Sequence, residues 1–280
     1  MTSPVPSRAT VALALVIAPL AAIAAGVGLL VPGIYRDPAW LVPQARGQDL
    51  VTLAGTAALV WAVHAARRGS TRAHLVWLGI LGYVAYTYVG AAFAYAYNEL
   101  FLLYVALFGL SVFTLALALG RVDAPALASR FDERTPRRAV GGFLVLVAAM
   151  LCALWLGQLV PALVAGKVPD SIVRSGGSLK YVFALDLGLV VPLAALSAAW
   201  LWRRRPWGFV LAGVVLVKAS TMGLALLAMT AFAVLDGQPA EVGLFVPWVA
   251  LAAGSLALSW WFLAHCRSSP PGVAEQEASS

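Results

Sequence analysis

The sequence predicts an all-α fold: a polytopic transmembrane bundle of eight helices with both termini in the cytoplasm. Three observations predict it. Of 280 residues, 62% are apolar and 11% are charged, against about 45–50% and about 25% in soluble domains. The apolar residues fall in eight long runs, and about 20 such residues cross a bilayer core of about 30 Å. The runs are built of Ala and Leu rather than the two-residue alternation of barrel strands, so helices are favoured.

The runs cover residues 10–32, 49–66, 73–96, 100–120, 139–165, 181–202, 207–235 and 246–265. The first follows Arg8 and exceeds 20 residues, longer than the roughly 7–15 of a cleaved signal peptide, so it reads as a retained helix. The second opens at Asp49-Leu50 and closes before Arg67-Arg68. The third and fourth are separated only by Tyr97 to Glu99, a tight hairpin. Arg121 to Arg138 separates the fourth from the fifth, and Lys167 to Lys180 the fifth from the sixth. Arg203 to Pro206 and Asp236 to Pro239 bound the seventh.

Arg and Lys partition unevenly among the connections. With the N-terminus inside, the inner segments hold thirteen of them, from Arg8 to Arg267, and the outer segments five: Arg36, Arg46, Lys167, Arg174 and Lys180. The excess of inner positive charge sets the orientation. The segments are then 1–9 as a cytoplasmic N-terminus, 10–120 as one four-helix unit, 121–138 as a cytoplasmic linker, 139–265 as a second four-helix unit, and 266–280 as a polar, disordered cytoplasmic tail. The Arg excess, with much Ala and Gly, suggests the inner (plasma) membrane of a GC-rich bacterium.

The two units echo one another. Gly28-Leu-Leu-Val-Pro32 answers Gly157-Gln-Leu-Val-Pro161, and Asp49-Leu50 answers Asp186-Leu187. Leu100-Phe-x-x-Tyr104-Val-Ala-Leu107 answers Leu244-Phe-x-x-Trp248-Val-Ala-Leu251, and Ser111 answers Ser255. Four matches in one order suggest a tandem 4+4 repeat. Even-numbered halves share one orientation and are related by an axis along the membrane normal.

The net charge of +7 belongs to short loops, with no basic domain or nucleic-acid motif, so no nucleic-acid partner is expected. Cys152 and Cys266 are too few and too separated for a structural disulfide or a metal site. His64, His74 and His265 lie near helix ends and offer no mid-membrane pair for a haem. No phosphate-binding loop, nucleophile elbow or zinc spacing is present, so neither cofactor nor catalytic residues are expected. Gly26, Gly28, Gly141 and Gly142 read as close helix contacts.

The candidate ligand- or ion-binding residues are the polar groups that cost most inside a bilayer. Lys218 lies mid-way along the seventh run, with Thr221 on its face one turn on. Asp186, toward the outer end of the sixth, is its candidate partner, although direct pairing needs a tilt or a water. Asp49 and Glu99 lie near outer helix ends, where an acid also suits a helix N-terminus. Six of eight tyrosines fall between residues 83 and 104, and Tyr83, Tyr86, Gly90, Phe93 and Tyr97 form one stripe at a/d spacing. Tyr83 and Tyr86 are too deep for an interfacial belt and need hydrogen-bond partners.

The stretch Tyr83 to Ser111, the Leu185-Asp-Leu to Pro192 segment and the Arg-Arg-Arg-Pro-Trp-Gly208 turn resemble a family of bacterial multi-pass integral membrane proteins. The likeness runs from about Gln48 to Phe232. That family has no assigned activity, so the resemblance implies the fold and carries over no functional residue.

The expected function is therefore binding or translocation of a small molecule or ion between the two units. The alternative is a non-transporting accessory subunit or sensor, assembled as a homo-oligomer or in a membrane complex, and a membrane-embedded enzyme comes third. The bilayer is the one partner that composition demands.

Overall fold

The computed structural model describes residues 6–238 and 242–267. Eleven α-helices occur among them: α1 (Arg8–Leu30), α2 (Val42–Arg67), α3 (Thr71–Phe93), α4 (Phe101–Leu119), α5 (Ala124–Ala128), α6 (Arg137–Val164), α7 (Asp170–Arg174), α8 (Lys180–Leu185), α9 (Val191–Trp202), α10 (Pro206–Leu235) and α11 (Val242–Ala264). A π turn, Asp186–Val190, joins α8 to α9 into one continuous span. Eight helices are long and apolar enough to cross a membrane, and the chain is a multi-pass membrane protein.

The helix boundaries follow local chemistry. Ser7 and Ser70 cap α1 and α3 through side-chain oxygens that accept from Thr10 N and Ala73 N, satisfying amides with no partner inside the helix. Pro43 and Pro206 sit in the first turns of α2 and α10, where a missing N–H costs nothing. α2 therefore begins at Val42, two turns earlier than the apolar run at 49. In the other direction, α3 ends at Phe93 and leaves Tyr95 and Tyr97 in the connection to α4.

Two helices form the interior. The apolar windows of α3 and α10 are 72% and 67% buried, against 28–39% for the other six spans. α10 packs on α2, α3, α9 and α11, and at its start on α5. Small residues make this possible. A methyl group at Gly47 would lie 2.5 Å from the Ala228 carbonyl oxygen, and one at Gly223 would lie 2.7 Å from Ala252 Cα. Leu59, Leu75, Trp77, Leu78 and Leu216 fill the interior completely. Large side chains such as Trp61, Leu102, Phe113 and Leu163 stay exposed on the outer helix faces, as a bundle surrounded by lipid requires.

Within the first four spans, α1 packs on α2, α2 on α3, α3 on α4, and α4 returns to α1. The last four close in the same order: α6 on α9, α9 on α10, α10 on α11, and α11 on α6. Between the two groups α10 packs heavily on α2 and α3, whereas the sixth span meets α3 only lightly, at α8.

The segment 121–138, expected as a linker, is folded against the bundle. Phe131 stacks on Phe209 (5.1 Å) and Phe262 (4.6 Å) and forms a β-bridge with Cys266. Arg72 Nε donates to the Cys266 carbonyl at 2.6 Å, and Arg267 N–H to the Arg130 carbonyl at 2.8 Å. Cys266 and Arg267 thus belong to the folded body; the rest of the expected tail, 268–280, lies outside the described residues.

Two outcomes follow. Gly47→Ala or Gly223→Ala should destabilise the protein by roughly 1–3 kcal/mol, because backbone cannot yield as a side-chain tip does; thermal melting in detergent measures it. Burial pushes the Cys266 thiol up to about 11, against the lowering effect of Arg72 and Arg130, so the reactive thiolate forms only above that pH. At pH 8 maleimide should leave Cys266 unlabelled until denaturant is added.

Candidate functional site

Asp186 opens the π turn. The Val191 N–H donates to the Asp186 carbonyl, five residues back rather than four. The cause is the next residue: Pro192 has no N–H, and in a regular helix its ring would strike the carbonyl four residues earlier. The wider turn relieves that clash, and such turns are frequent at functional positions. It also inserts an extra step of rotation between α9 and the part of the span bearing Tyr181, Phe183 and Asp186.

Asp186 is 6% exposed. It lies about 9 Å inside its end of the span, six residues from Lys180 at about 1.5 Å each. Both carboxylate oxygens are held by neutral donors from two other helices. Tyr86 Oη of α3 donates to Oδ1 at 2.9 Å, and Trp155 Nε1 of α6 donates to Oδ2 at 2.9 Å. Phe183 stacks on Trp155 at 4.7 Å and fixes the indole. The Tyr181 ring lies against Gly90, where any larger residue would displace it.

Lys218 lies in α10 about 18 Å from the start of that helix, twelve residues from Pro206. It does not reach Asp186. Its Nζ lies 4.0 Å from the centroid of the Tyr86 ring, a cation–π contact, and its stem passes Gly82 of α3. Tyr86 thus stands between the two charges, with its face to the ammonium and its hydroxyl to the carboxylate. The expected ion pair is a three-part stack, and neither a tilt nor a water is needed to join its parts.

Asp49 does not cap a helix end. It lies seven residues inside α2 and accepts from Tyr35 Oη at 2.5 Å. Gly28 of α1 makes room, since a methyl group there would overlap both the Asp49 carboxylate and the Tyr35 hydroxyl. Burial and the adjacent carboxylate raise the Tyr35 phenol well above its ordinary value. Nearby, Gln48 donates to Thr87 (3.1 Å) and accepts from Tyr95 (3.4 Å). Glu99 sits apart, in the exposed connection after α3, paired with Arg36.

The tyrosines do not form one stripe. Tyr83 is fully buried and shares a 2.9 Å hydrogen bond with Thr52 of α2. Tyr86 turns to the sixth span, and Tyr88 donates to the Ala21 carbonyl of α1 at 3.3 Å. Phe93 and Tyr97 are exposed. Thr221 bonds the Val217 carbonyl of its own helix at 3.0 Å; its methyl group and the Tyr83 ring both lie near Gly55 of α2.

Asp186, Tyr86 and Lys218 are therefore together, with Tyr83 and Thr221 one turn away, while Asp49 heads a second cluster and Glu99 belongs to neither. Trp155, Tyr35 and Gln48 escape a reading of the sequence. A tryptophan in an apolar run looks like packing, Tyr35 and Gln48 fall between two runs, and the only local hint was Pro192 following Asp186 in the same helix.

The fold and the buried polar residues define a helical multi-pass membrane protein. Comparison with protein-family models, curated proteins and solved structures gives no match for the chain.

A double-mutant cycle measures the central contact. Tyr86→Phe and Asp186→Asn should each destabilise the protein, and their interaction energy should be roughly 1.5–3 kcal/mol, the range for a hydrogen bond to a charged group. Additive melting-temperature losses would mean that the two side chains do not act on each other.

Proposed function

We propose that the protein binds a small molecule or ion between its first and last four spans, at Asp186, Tyr86 and Lys218, and moves it across the bilayer. One observation carries this reading: a buried carboxylate at membrane depth whose oxygens are held by neutral donors while the nearest ammonium is kept behind an aromatic ring. A structural ion pair would bring the charges together, because an uncompensated charge in this setting costs several kcal/mol. A carboxylate held only by neutral donors is suited to receive a cationic group. Tyr86 couples that event to Lys218, since its hydroxyl senses Asp186 and its ring the ammonium.

The arrangement of spans supports the same reading. The matching order of contacts within each group of four is what a parallel repeat produces. Under that repeat the partner of the close α2–α10 contact is α3 with the sixth span, where contact is slight. Asp186 and Tyr86 lie at this loosened seam, where relative movement of the halves disturbs little packing. The surroundings of the two matched acids differ accordingly: Gly28 lies under Asp49, whereas no described residue comes within 4 Å of a methyl group at Gly157. The thirteen-to-five partition of Arg and Lys puts the Arg-rich end in the cytoplasm, so Asp186 lies in the outer half of the membrane.

Proteoliposomes on a solid-supported membrane test this directly. Challenged with a proton gradient and with panels of amines, amino acids and alkali cations, the wild type should give a current absent from empty liposomes. Asp186→Asn and Lys218→Ala should abolish it while the protein still melts cooperatively. No current above empty liposomes, or variants that conduct like the wild type, would exclude the carrier reading.

A further inference from the structure

Among the described residues five helix ends are of one kind. In each, the third residue beyond the last helical one donates back to a carbonyl near the end, and the residue before it has positive φ. The bonds are Ser70 to Ala65, Lys167 to Ala162, Gly177 to Ile172, Arg205 to Trp200 and Gln238 to Ala233. Four of these ends use glycine at the positive-φ position: Gly69, Gly166, Gly176 and Gly237, with φ of 87°, 63°, 60° and 84°. That choice is expected, because only glycine takes this conformation without a clash of its Cβ. At the end of α9 the position is Arg204, φ 53°, the only non-glycine residue with positive φ among the described residues. A bulky residue held there is an observation that points toward function.

Arg204 lines a groove. Together with Arg137, Arg138 and Trp202 it lines an open cleft of about 440 Å³. A second cavity of about 390 Å³ adjoins it, sharing Arg137 and Arg138 and walled by Trp261. Among the described residues no acidic side chain lines either. Both lie at the start of α6, whose N-cap is Pro136 and makes no side-chain cap, so the positive end of a 28-residue helix faces the same space. Arginine is suited to phosphate, since its planar fork makes paired hydrogen bonds. Gly141 leaves the room that the Trp202 indole occupies against α6. Trp202, Trp207, Trp260 and Trp261 are all exposed at this end, an interfacial belt that places the groove at headgroup depth.

We propose that this groove is a binding site for the phosphate headgroup of an anionic phospholipid, with the acyl chains lying along the exposed face of α6 below it. A general excess of inner arginines accounts for orientation but not for a groove walled by tryptophan, nor for an arginine where four equivalent positions carry glycine. Basic pockets between helices at one membrane face are the established form of such sites. The site is separate from Asp186 and Lys218 and independent of any transport.

Native mass spectrometry of the full chain, with phosphatidylglycerol titrated against phosphatidylcholine, tests it. The wild type should retain phosphatidylglycerol at least tenfold better than phosphatidylcholine. Arg137→Gln with Arg138→Gln should remove that preference, whereas Arg67→Gln with Arg68→Gln, at the same end but outside the groove, should keep it. Arg204→Gly is the sharpest variant: it should raise the melting temperature in neutral detergent by relieving the backbone and still weaken phosphatidylglycerol retention several-fold. Equal losses from both arginine pairs would show only diffuse charge and overturn the proposal. So would an Arg204→Gly protein that retains the lipid undiminished, or inorganic phosphate that stabilises the wild type as well as the lipid does.

Discussion

The structure depends on how closely α10 approaches its neighbours. In a bilayer, lipid tails are as apolar as leucine, so helices are held by packing rather than by escape from water. Gly47 against Ala228, Gly79 against Val217 and Gly223 against Ala252 bring α10 near backbone contact with α2, α3 and α11. With the seventh span so held, the remaining helices arrange themselves around it and α3. The positions of Lys218 and Thr221 follow, because side chains on a helix this tightly seated have little freedom in where they point.

The same seating explains why the polar residues are arranged unevenly. α10 lies so close to α2 that the space between those helices is filled by small groups, Gly55 and the Thr221 methyl among them. On the other side the sixth span keeps its distance from α3, and long side chains bridge the interval: Tyr86 and Trp155 reach Asp186, and Lys218 reaches the Tyr86 ring. Pro192 contributes by enforcing the π turn that starts at Asp186. Tight packing on one flank and a polar bridge on the other are two results of one asymmetric placement.

Much of this was legible in the sequence, and the exceptions are instructive. The eight spans followed from hydropathy and length, and errors at their ends trace to capping: Pro43 opens α2 two turns early, and α3 stops at Phe93. Gly28 and Gly141 are close contacts as expected, against Asp49 with Tyr35 and against Trp202, whereas Gly26 and Gly142 meet nothing within 4 Å. A single glycine does not declare which neighbour approaches it. Asp49 looked like a helix cap because the polar residues Gln44, Arg46 and Gln48 interrupt the apolar run before it, although they are helical.

What the sequence by itself determined is the number of helices able to cross a membrane and the identity of the residues whose burial is costly, Asp186 and Lys218 first among them. Both are local properties, set by about 20 residues of hydropathy at a time and by the low polarity of the lipid core. The tertiary structure alone decided that these charges are separated by Tyr86, that Trp155 completes the carboxylate's hydrogen bonds, and that Asp49 belongs with Tyr35. Those partners are separated by 100, 31 and 14 residues. They are matched by the rotation and depth of whole helices, which close glycine contacts and one proline-driven π turn impose. No periodicity within a single helix records them.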